Sequence, residues 1–298
     1  MKLYAPRYYK DFKCIADKCE HSCCVGWEID VDSATLEKYM ELKDEYGVVI
    51  NDSISTDDTP HFNLDENERC PHLDERGLCK IITNLGEEYL CDICCQHPRF
   101  YNFTTVAEVG IGMSCPEAAR IILGASDYTE MEEVGEVDAA EDVAEFDGRA
   151  QRDKIYRILR DTSLDYKARL NKIYSSHFIA VGDDTMWLKL LDSLEYLDDA
   201  NRSLFKNYSS EKRPGNKDEY LERFLAYFIY RHCTEALSEE DFCVRLGFCL
   251  FCERLFASLI CYSGADSFRQ ISALASIISE EIEYSDENTL SLTYNNFL

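Results

Sequence analysis

The chain has 298 residues, 31 of them basic and 57 acidic, for a formal net charge of −26 at pH 7. That balance excludes a nucleic-acid backbone as the default partner, because phosphate neutralisation needs clustered Lys and Arg. A hydrophobic fraction of 46% with 12% aromatics excludes bulk disorder, which leaves fifteen cysteines as the outlying number, ten from Cys14 to Cys115 and five from Cys233 to Cys261.

The first twelve residues, Met1 to Phe12, are too polar and too broken by Pro6 and charge for the apolar core of a signal peptide. A cytoplasmic, reducing location is therefore expected, where dense cysteines point to metal or cluster ligation rather than disulfides. No membrane span is expected either. The most apolar stretch, Leu246 to Ile260, is interrupted by Glu253 and Arg254 well short of the roughly 20 residues a span needs.

The expected fold is mainly α, in three parts. Residues 1–125 read as a cysteine-rich α+β cluster domain with small hairpins. Asp32 to Lys43 has helical spacing with Ser33 as N-cap, and His61 to Leu64 and Gly77 to Ile82 flank a turn-rich segment in a small hairpin. Phe100 to Val106 and Val109 to Met113 suggest a second hairpin. Cys115-Pro116-Glu117 then opens a helix through Leu123, with Pro116 in the first turn where its missing N–H costs little. Residues 126–148 read as an acidic linker, with ten acids and no base between Ser126 and Asp147. An acidic docking strip for a basic partner, or a short helix from Val134 to Phe146, are the alternatives. Residues 149–298 show a 3.6-residue apolar period throughout and read as a bundle of about six helices, broken at Pro214-Gly215.

The cysteines fall into two blocks. The first is Cys14-x4-Cys19-x3-Cys23-Cys24-Val25-Gly26-Trp27; the second is Cys70-Pro71-x7-Cys79, Cys91-x2-Cys94-Cys95 and Cys115-Pro116. Ten thiols exceed the four that one tetrahedral zinc or one cubane cluster uses, so some are spectators unless there are two centres. Cys91 and Cys95 are the first candidates for spectators, and adjacent Cys23 and Cys24 point in divergent directions. The expected metal ligands are Cys19, Cys23, Cys24, Cys70, Cys79, Cys94 and Cys115. Uneven spacing and two Cys-Pro pairs favour iron–sulfur over zinc, which stays the alternative. The C-terminal cysteines, Cys249-x2-Cys252 and Cys233 included, read as helix core.

These blocks carry a resemblance. Phe12-x-Cys14, Cys19-x3-Cys23-Cys24-x-Gly26-Trp27, Cys70-Pro71-x-Leu73-x3-Gly77-Leu78-Cys79, Cys94-x2-His97-Pro98-Arg99 and Ser114-Cys115-Pro116-Glu117 are similar to the flagellin lysine-N-methylase family. They are more distantly similar to cysteine-cluster proteins described as zinc or iron chelators. The likeness runs over residues 12–123, and His97 departs from it where Tyr is expected. It implies S-adenosylmethionine-dependent methylation of lysine side chains on flagellin, or another lysine-bearing protein, by an enzyme with a [4Fe-4S] cluster. Its alternative is a non-catalytic zinc- or iron-binding module.

Methyl transfer to lysine needs a neutral amine, favoured by desolvation or a proton acceptor. Glu68, Glu87, Tyr89, Tyr101 and Glu117 have suitable chemistry, and none is singled out. The cofactor site is not a dinucleotide-type glycine turn: Gly110-Ile111-Gly112 lacks a third glycine and a following helix start. A C-x3-C-x2-C triad is also missing, since its third position is Gly26. Trp27 and Arg99 are the expected cofactor contacts, Trp27 to stack on an adenine or cover the cluster, Arg99 to hold a carboxylate.

Overall fold

The computed structural model describes all residues except 20, 58, 139–145, 181 and 295–298. In chain order its strands are β1 (Lys2–Pro6), β2 (Ile54–Ser55), β3 (His61–Phe62), β4 (Arg99–Phe103), β5 (Ala107–Ile111) and β6 (Met131–Glu136). The helices of the first half are α1 (Ser33–Glu41), α2 (Glu45–Asp52), α3 (Lys80–Leu85), α4 (Asp92–Gln96) and α5 (Pro116–Gly124). Those of the second half are α6 (Gly148–Leu159), α7 (Tyr166–Ser176), α8 (Asp184–Ser193), α9 (Asp199–Phe205), α10 (Asp218–Cys233), α11 (Glu239–Ser263), α12 (Phe268–Glu283) and α13 (Asp286–Tyr294). The protein is mainly α. Part of its acidity is spent on these helix starts: the side chains of Asp32, Asp44, Asp147, Asp165, Asp183 and Asp198 each accept a first-turn backbone N–H.

The chain divides into two compact units, one of residues 13–99 and one of residues 1–12 with 100–298. In the smaller unit, α1 and α2 pack together beside the two-stranded ladder β2–β3, in which Ile54 faces Phe62 and Ser55 faces His61. Its buried set is small, built from Ile29, Val31, Tyr39, Ile50, Phe62 and Ile81 with Cys70 and Cys91.

In the larger unit four strands run in the order β4-β5-β1-β6, with β1 parallel to β5 and antiparallel to β6. On β5, Gly110 has no room for a side chain: a Cβ would stand 2.4 Å from the Phe100 ring and 2.8 Å from the Tyr230 ring. That close packing accounts for the glycine without any phosphate. Against this sheet lies a helical core centred on α10, α11 and α12, with stacked rings of Phe224, Phe228 and Phe256, and Trp187 lying flat on Phe251 at 3.6 Å.

Two buried carboxylates inside this core are matched by arginines. Glu108 of β5 takes a two-point ion pair from Arg152 of α6 at 2.5 and 3.1 Å, both side chains nearly inaccessible. Glu253 of α11 receives Arg213 at 2.6 and 3.2 Å and the Tyr166 hydroxyl at 3.1 Å, while Arg254 donates to the Tyr174 hydroxyl at 3.0 Å. The two charges that interrupt the apolar run are thus buried within a globular helix, Glu253 paired with Arg213 and Arg254 bonded to Tyr174 with its Nε left without a partner. Among the described residues, no helix is long and apolar enough to cross a membrane.

Several expectations are corrected. The compact units part near residues 12 and 99, not at 125 and 149, because β1 brings the N-terminus into the larger unit's sheet. Residues 131–136 of the expected linker are strand β6, held on β1 with Lys2 reaching Glu133 at 2.7 Å and Lys10 reaching Glu132 at 3.2 Å. The expected acidic helix from Val134 begins inside that strand, and its 139–145 part lies outside the described residues. Asp32, not Ser33, caps α1. The partner of His61-Phe62 is Ile54-Ser55, while residues 80–85 are helical. The bundle holds two further short helices, α9 and α13, whose amphipathic signal is too brief to read.

Candidate metal centre

Within residues 13–99 four chain segments deliver thiols to one buried place. Cys23 and Cys24 follow a short 3₁₀ turn, and the next residues pair with 68–70: Gly26 N–H donates to Glu68 O at 2.9 Å and Cys70 N–H to Cys24 O at 2.8 Å. Gly26, at φ +92°, supplies the left-handed turn that this crossing needs. The loop from Cys70 to Cys79 doubles back on itself. Asp74 accepts the backbone N–H of Arg76 and Leu78 at 2.8 Å each, Gly77 sits at φ +76°, and Leu73 bridges Cys79. Cys91 precedes α4 as its N-terminal flank and Cys94 lies one turn later on the same face.

These thiols act on one another. Cys94 bonds to Cys91, and that bond together with burial drives the Cys94 thiol well up, with Cys24 and Cys70 adding to it. The same bond lowers Cys91, against its burial. Burial pushes Cys70 up to about 11, opposed by the backbone N–H of His72 and reinforced by Cys79 and Cys91. Cys23 bonds to Cys24 and is raised by that bond and by burial. Thiols hydrogen-bonded in pairs are not spread around a common centre, and among the described residues no group of three or more His, Cys, Asp or Glu side chains is arranged to hold a metal ion as it stands.

The donor chemistry nonetheless fits a thiophilic centre. Cys24, Cys70, Cys79, Cys91 and Cys94 all belong to, or pack on, one cluster, and burial disfavours the thiolates of Cys70 and Cys94. A bound cation reverses that sign, since it stabilises each thiolate it touches. The backbone N–H of His72 at Cys70 is the kind of outer-sphere donor that stabilises a ligating sulfur.

The surrounding polar groups were not legible as site residues. Tyr39 of α1 is fully buried, donates to Tyr89 O at 2.5 Å and stands 3.7 Å from the Cys91 sulfur. Asp32 caps α1 through Thr35 N–H and also accepts the Asp92 N–H, both at 2.9 Å, so one carboxylate ties α1 to the start of α4. His72 is buried between the Tyr46 hydroxyl at 3.2 Å and the Ser53 hydroxyl at 2.9 Å, and burial lowers its pKa to about 4. It is a neutral spacer with both ring nitrogens engaged.

Of the seven expected ligands, Cys24, Cys70, Cys79 and Cys94 join this cluster and Cys23 adjoins it through Cys24. Cys19 is half-buried at the end of the Ala16–Lys18 turn. Cys115 belongs to the larger unit, where it flanks the N-terminus of α5 and packs on the helical core. Cys91, set aside from the sequence as a first spectator, is instead buried at the centre of the thiol group, because it precedes α4 and so points inward beside Cys94. Cys95 is exposed.

The two expected cofactor contacts have local work. Trp27 donates its indole N–H to Cys23 O at 2.8 Å and lies 6.3 Å from the His97 ring. Arg99 reaches back to Cys95 O at 3.4 Å, complementing the end of α4. Glu117 pairs with Arg120 at 2.6 Å in the first turn of α5, and Tyr101 stacks on Phe103.

No family model matches the chain, and no solved structure matches it. The Flagellar biosynthetic protein FliU of Salmonella muenchen is 28% identical over 130 residues, covering 41% of this chain and 77% of that protein. Lysine-N-methylases of Salmonella choleraesuis and Salmonella typhimurium are each 28% identical over 136 residues, 43% of this chain. The chain spans only 34% of the length of those two relatives. These likenesses bear out the resemblance carried by the cysteine blocks: over less than half its length, the chain is similar to lysine-N-methylases and to a flagellar biosynthetic protein.

Proposed function

We propose that the chain is a protein-lysine N-methyltransferase of the flagellin lysine-N-methylase type, carrying a [4Fe-4S] cluster and using S-adenosylmethionine in the cytoplasm. The observation that carries the metal part is the convergence of Cys24, Cys70, Cys79, Cys91 and Cys94 in one buried cluster. The methylation part rests on the names of the two lysine-N-methylases. Four of the five thiols suffice for a cubane cluster. Cys91 replaces Cys115 and Cys19 in the ligand set proposed here, and Cys23 supports Cys24.

When bound, the cluster would supply an electron-rich or Lewis-acidic centre held by these cysteines. The protein contributes the rest. Cys70 and Cys91 are buried, Cys24, Cys79 and Cys94 partly so, and the N–H of His72 would stabilise sulfur charge. The acidic surface attracts lysine-bearing faces of a protein substrate and accelerates encounter at low salt.

Iron, sulfide and zinc are to be measured together on anaerobically purified protein. Brown protein with iron and sulfide in equal amounts is the expected result; colourless protein with zinc overturns the cluster. In the same preparation Cys91→Ser loses its metal while Cys95→Ser keeps it. The activity is tested by mixing the loaded protein with flagellin and labelled S-adenosylmethionine under reducing conditions. Intact metal without lysine labelling assigns the chain to a non-catalytic metal-binding module.

A further inference from the structure

The outer face of α2 is not explained by folding. Glu45, Val48, Val49 and Asp52 stand at the i, i+3, i+4 and i+7 positions of one exposed side, while Gly47 and Ile50 are buried on the other. Val48 and Val49 keep 52% and 53% of their surface in water, and Met40 near the end of α1 keeps 61%. A β-branched residue is a weak helix former. Two in succession on the solvent side of a helix of 8 residues gain neither burial nor propensity.

The three side chains share one well-fixed corner. The Asn51 side chain of α2 donates to Tyr39 O, next to Met40, at 2.7 Å, and Gly47 packs so closely on Leu42 that a Cβ would stand 2.4 Å from its side chain. A surface fixed in this way binds without first being ordered. Its rim is acidic. Glu41, Glu45 and Asp52 are exposed, and among the described residues none has an ion-pair partner, in contrast to Glu132 and Glu133 of β6, which meet Lys10 and Lys2. The nearby Lys43 is turned back onto Met40 O at 2.6 Å. The acidic rim rejects a second copy of this chain, itself at −26, and any anionic lipid or nucleic-acid surface. What it accepts is apolar and basic together.

We propose that Met40, Val48 and Val49 form a docking surface for a basic protein segment, one that presents apolar side chains flanked by lysine or arginine. This surface needs neither the metal nor the methyl transfer proposed above. The probe is a fluorescent helical peptide with Leu at i and i+3 flanked by Lys, compared with one carrying Ser for each Leu and one carrying Glu for each Lys. Anisotropy is read on the full chain at low and high salt. Wild type is expected to bind the Lys–Leu peptide more tightly than either control, with affinity falling as salt rises. Val48→Ser combined with Val49→Ser trims exposed methyl groups, leaves the net charge unchanged and keeps the fold. It is expected to weaken binding about tenfold. Glu41→Gln combined with Glu45→Gln is expected to weaken it and flatten its salt dependence. If the valine variant binds as wild type does, or the Ser peptide binds as the Lys–Leu peptide does, the attraction is general acidity and the docking surface is overturned. A wild type that binds none of the peptides overturns it too. Self-association abolished by the valine substitutions would assign the corner to a second copy, and adsorption to vesicles of anionic lipid abolished by them would assign it to a membrane; either result overturns the proposal.

Discussion

Two groups of buried cysteines sit in this chain and their surroundings give them different chemistry. In the larger unit Cys233, Cys249 and Cys252 are wholly buried among aromatic rings, with Cys233 and Cys249 sulfurs 3.7 Å apart. Burial pushes the thiols of Cys249 and Cys252 far up, and they behave as small hydrophobes. In the smaller unit the thiols come from irregular turns, face one another and receive a backbone N–H. Burial alone does not separate the two groups. The environment does: the first lies in a long-helix core rich in aromatic rings, the second in a small apolar set where several thiols are gathered from separate segments.

That contrast predicts where stability comes from. Residues 13–99 have too small an apolar set to fold on it comfortably, and small units of this kind lean on a staple such as a metal. Chelation under reducing conditions should therefore remove the hydrogen-exchange protection of residues 13–99 and leave that of α10 to α12 in place. Simultaneous loss in both regions would erase the distinction.

A smaller effect is expected from the larger unit's own polar core. Glu108→Gln leaves buried Arg152 with only the half-exposed Asp153 carboxylate at 3.3 Å and the Thr234 hydroxyl at 3.1 Å, at a cost of about 3–5 kcal/mol in denaturant unfolding of that unit. Metal content should not change.

Next comes acid sensitivity. Burial lowers the pKa of His232 despite its 2.7 Å bond to Glu283, so the folded protein holds this imidazole neutral where an unfolded chain would protonate it. Unfolded chains then bind the additional proton as pH falls below about 6.5. This contribution is fully present above that pH and is lost on acidification. His232→Gln should flatten the slope of stability against pH between neutrality and the lower folded pKa; an unchanged slope would remove His232 as the cause.

The helices of the larger unit were readable because their apolar period is long and uninterrupted, and caps such as Asp165 and Asp183 sit just ahead of it. β6 was not, since Met131 to Glu136 is acidic and becomes a strand only by pairing with Lys2 to Pro6, more than a hundred residues away. The thiol blocks were visible as a pattern, whereas membership of the cluster was not. Cys91 and Cys95 look alike in the sequence, one residue either side of Cys94's helical turn, yet one flanks the helix start facing inward and the other is solvent-exposed. Tyr39 carried no signal at all beyond its place in an apolar stripe, because its partners lie 50 and 52 residues away.

The smallest expected effect tests the comparison most directly. Cys252→Ala removes one sulfur from a fully packed aromatic core, a cavity-type loss of about 1 kcal/mol in thermal or denaturant unfolding. Iron and sulfide content should stay at the wild-type value, because burial, the largest influence on this thiol, keeps it from becoming a thiolate. Cys94→Ala, by contrast, takes a donor from a place where the remaining thiols already repel one another's charge, and should lower metal content far out of proportion to the atoms removed. If Cys252→Ala depleted the metal as Cys94→Ala does, burial among aromatic rings would not mark a cysteine as packing, and the environment would no longer sort these thiols into two kinds.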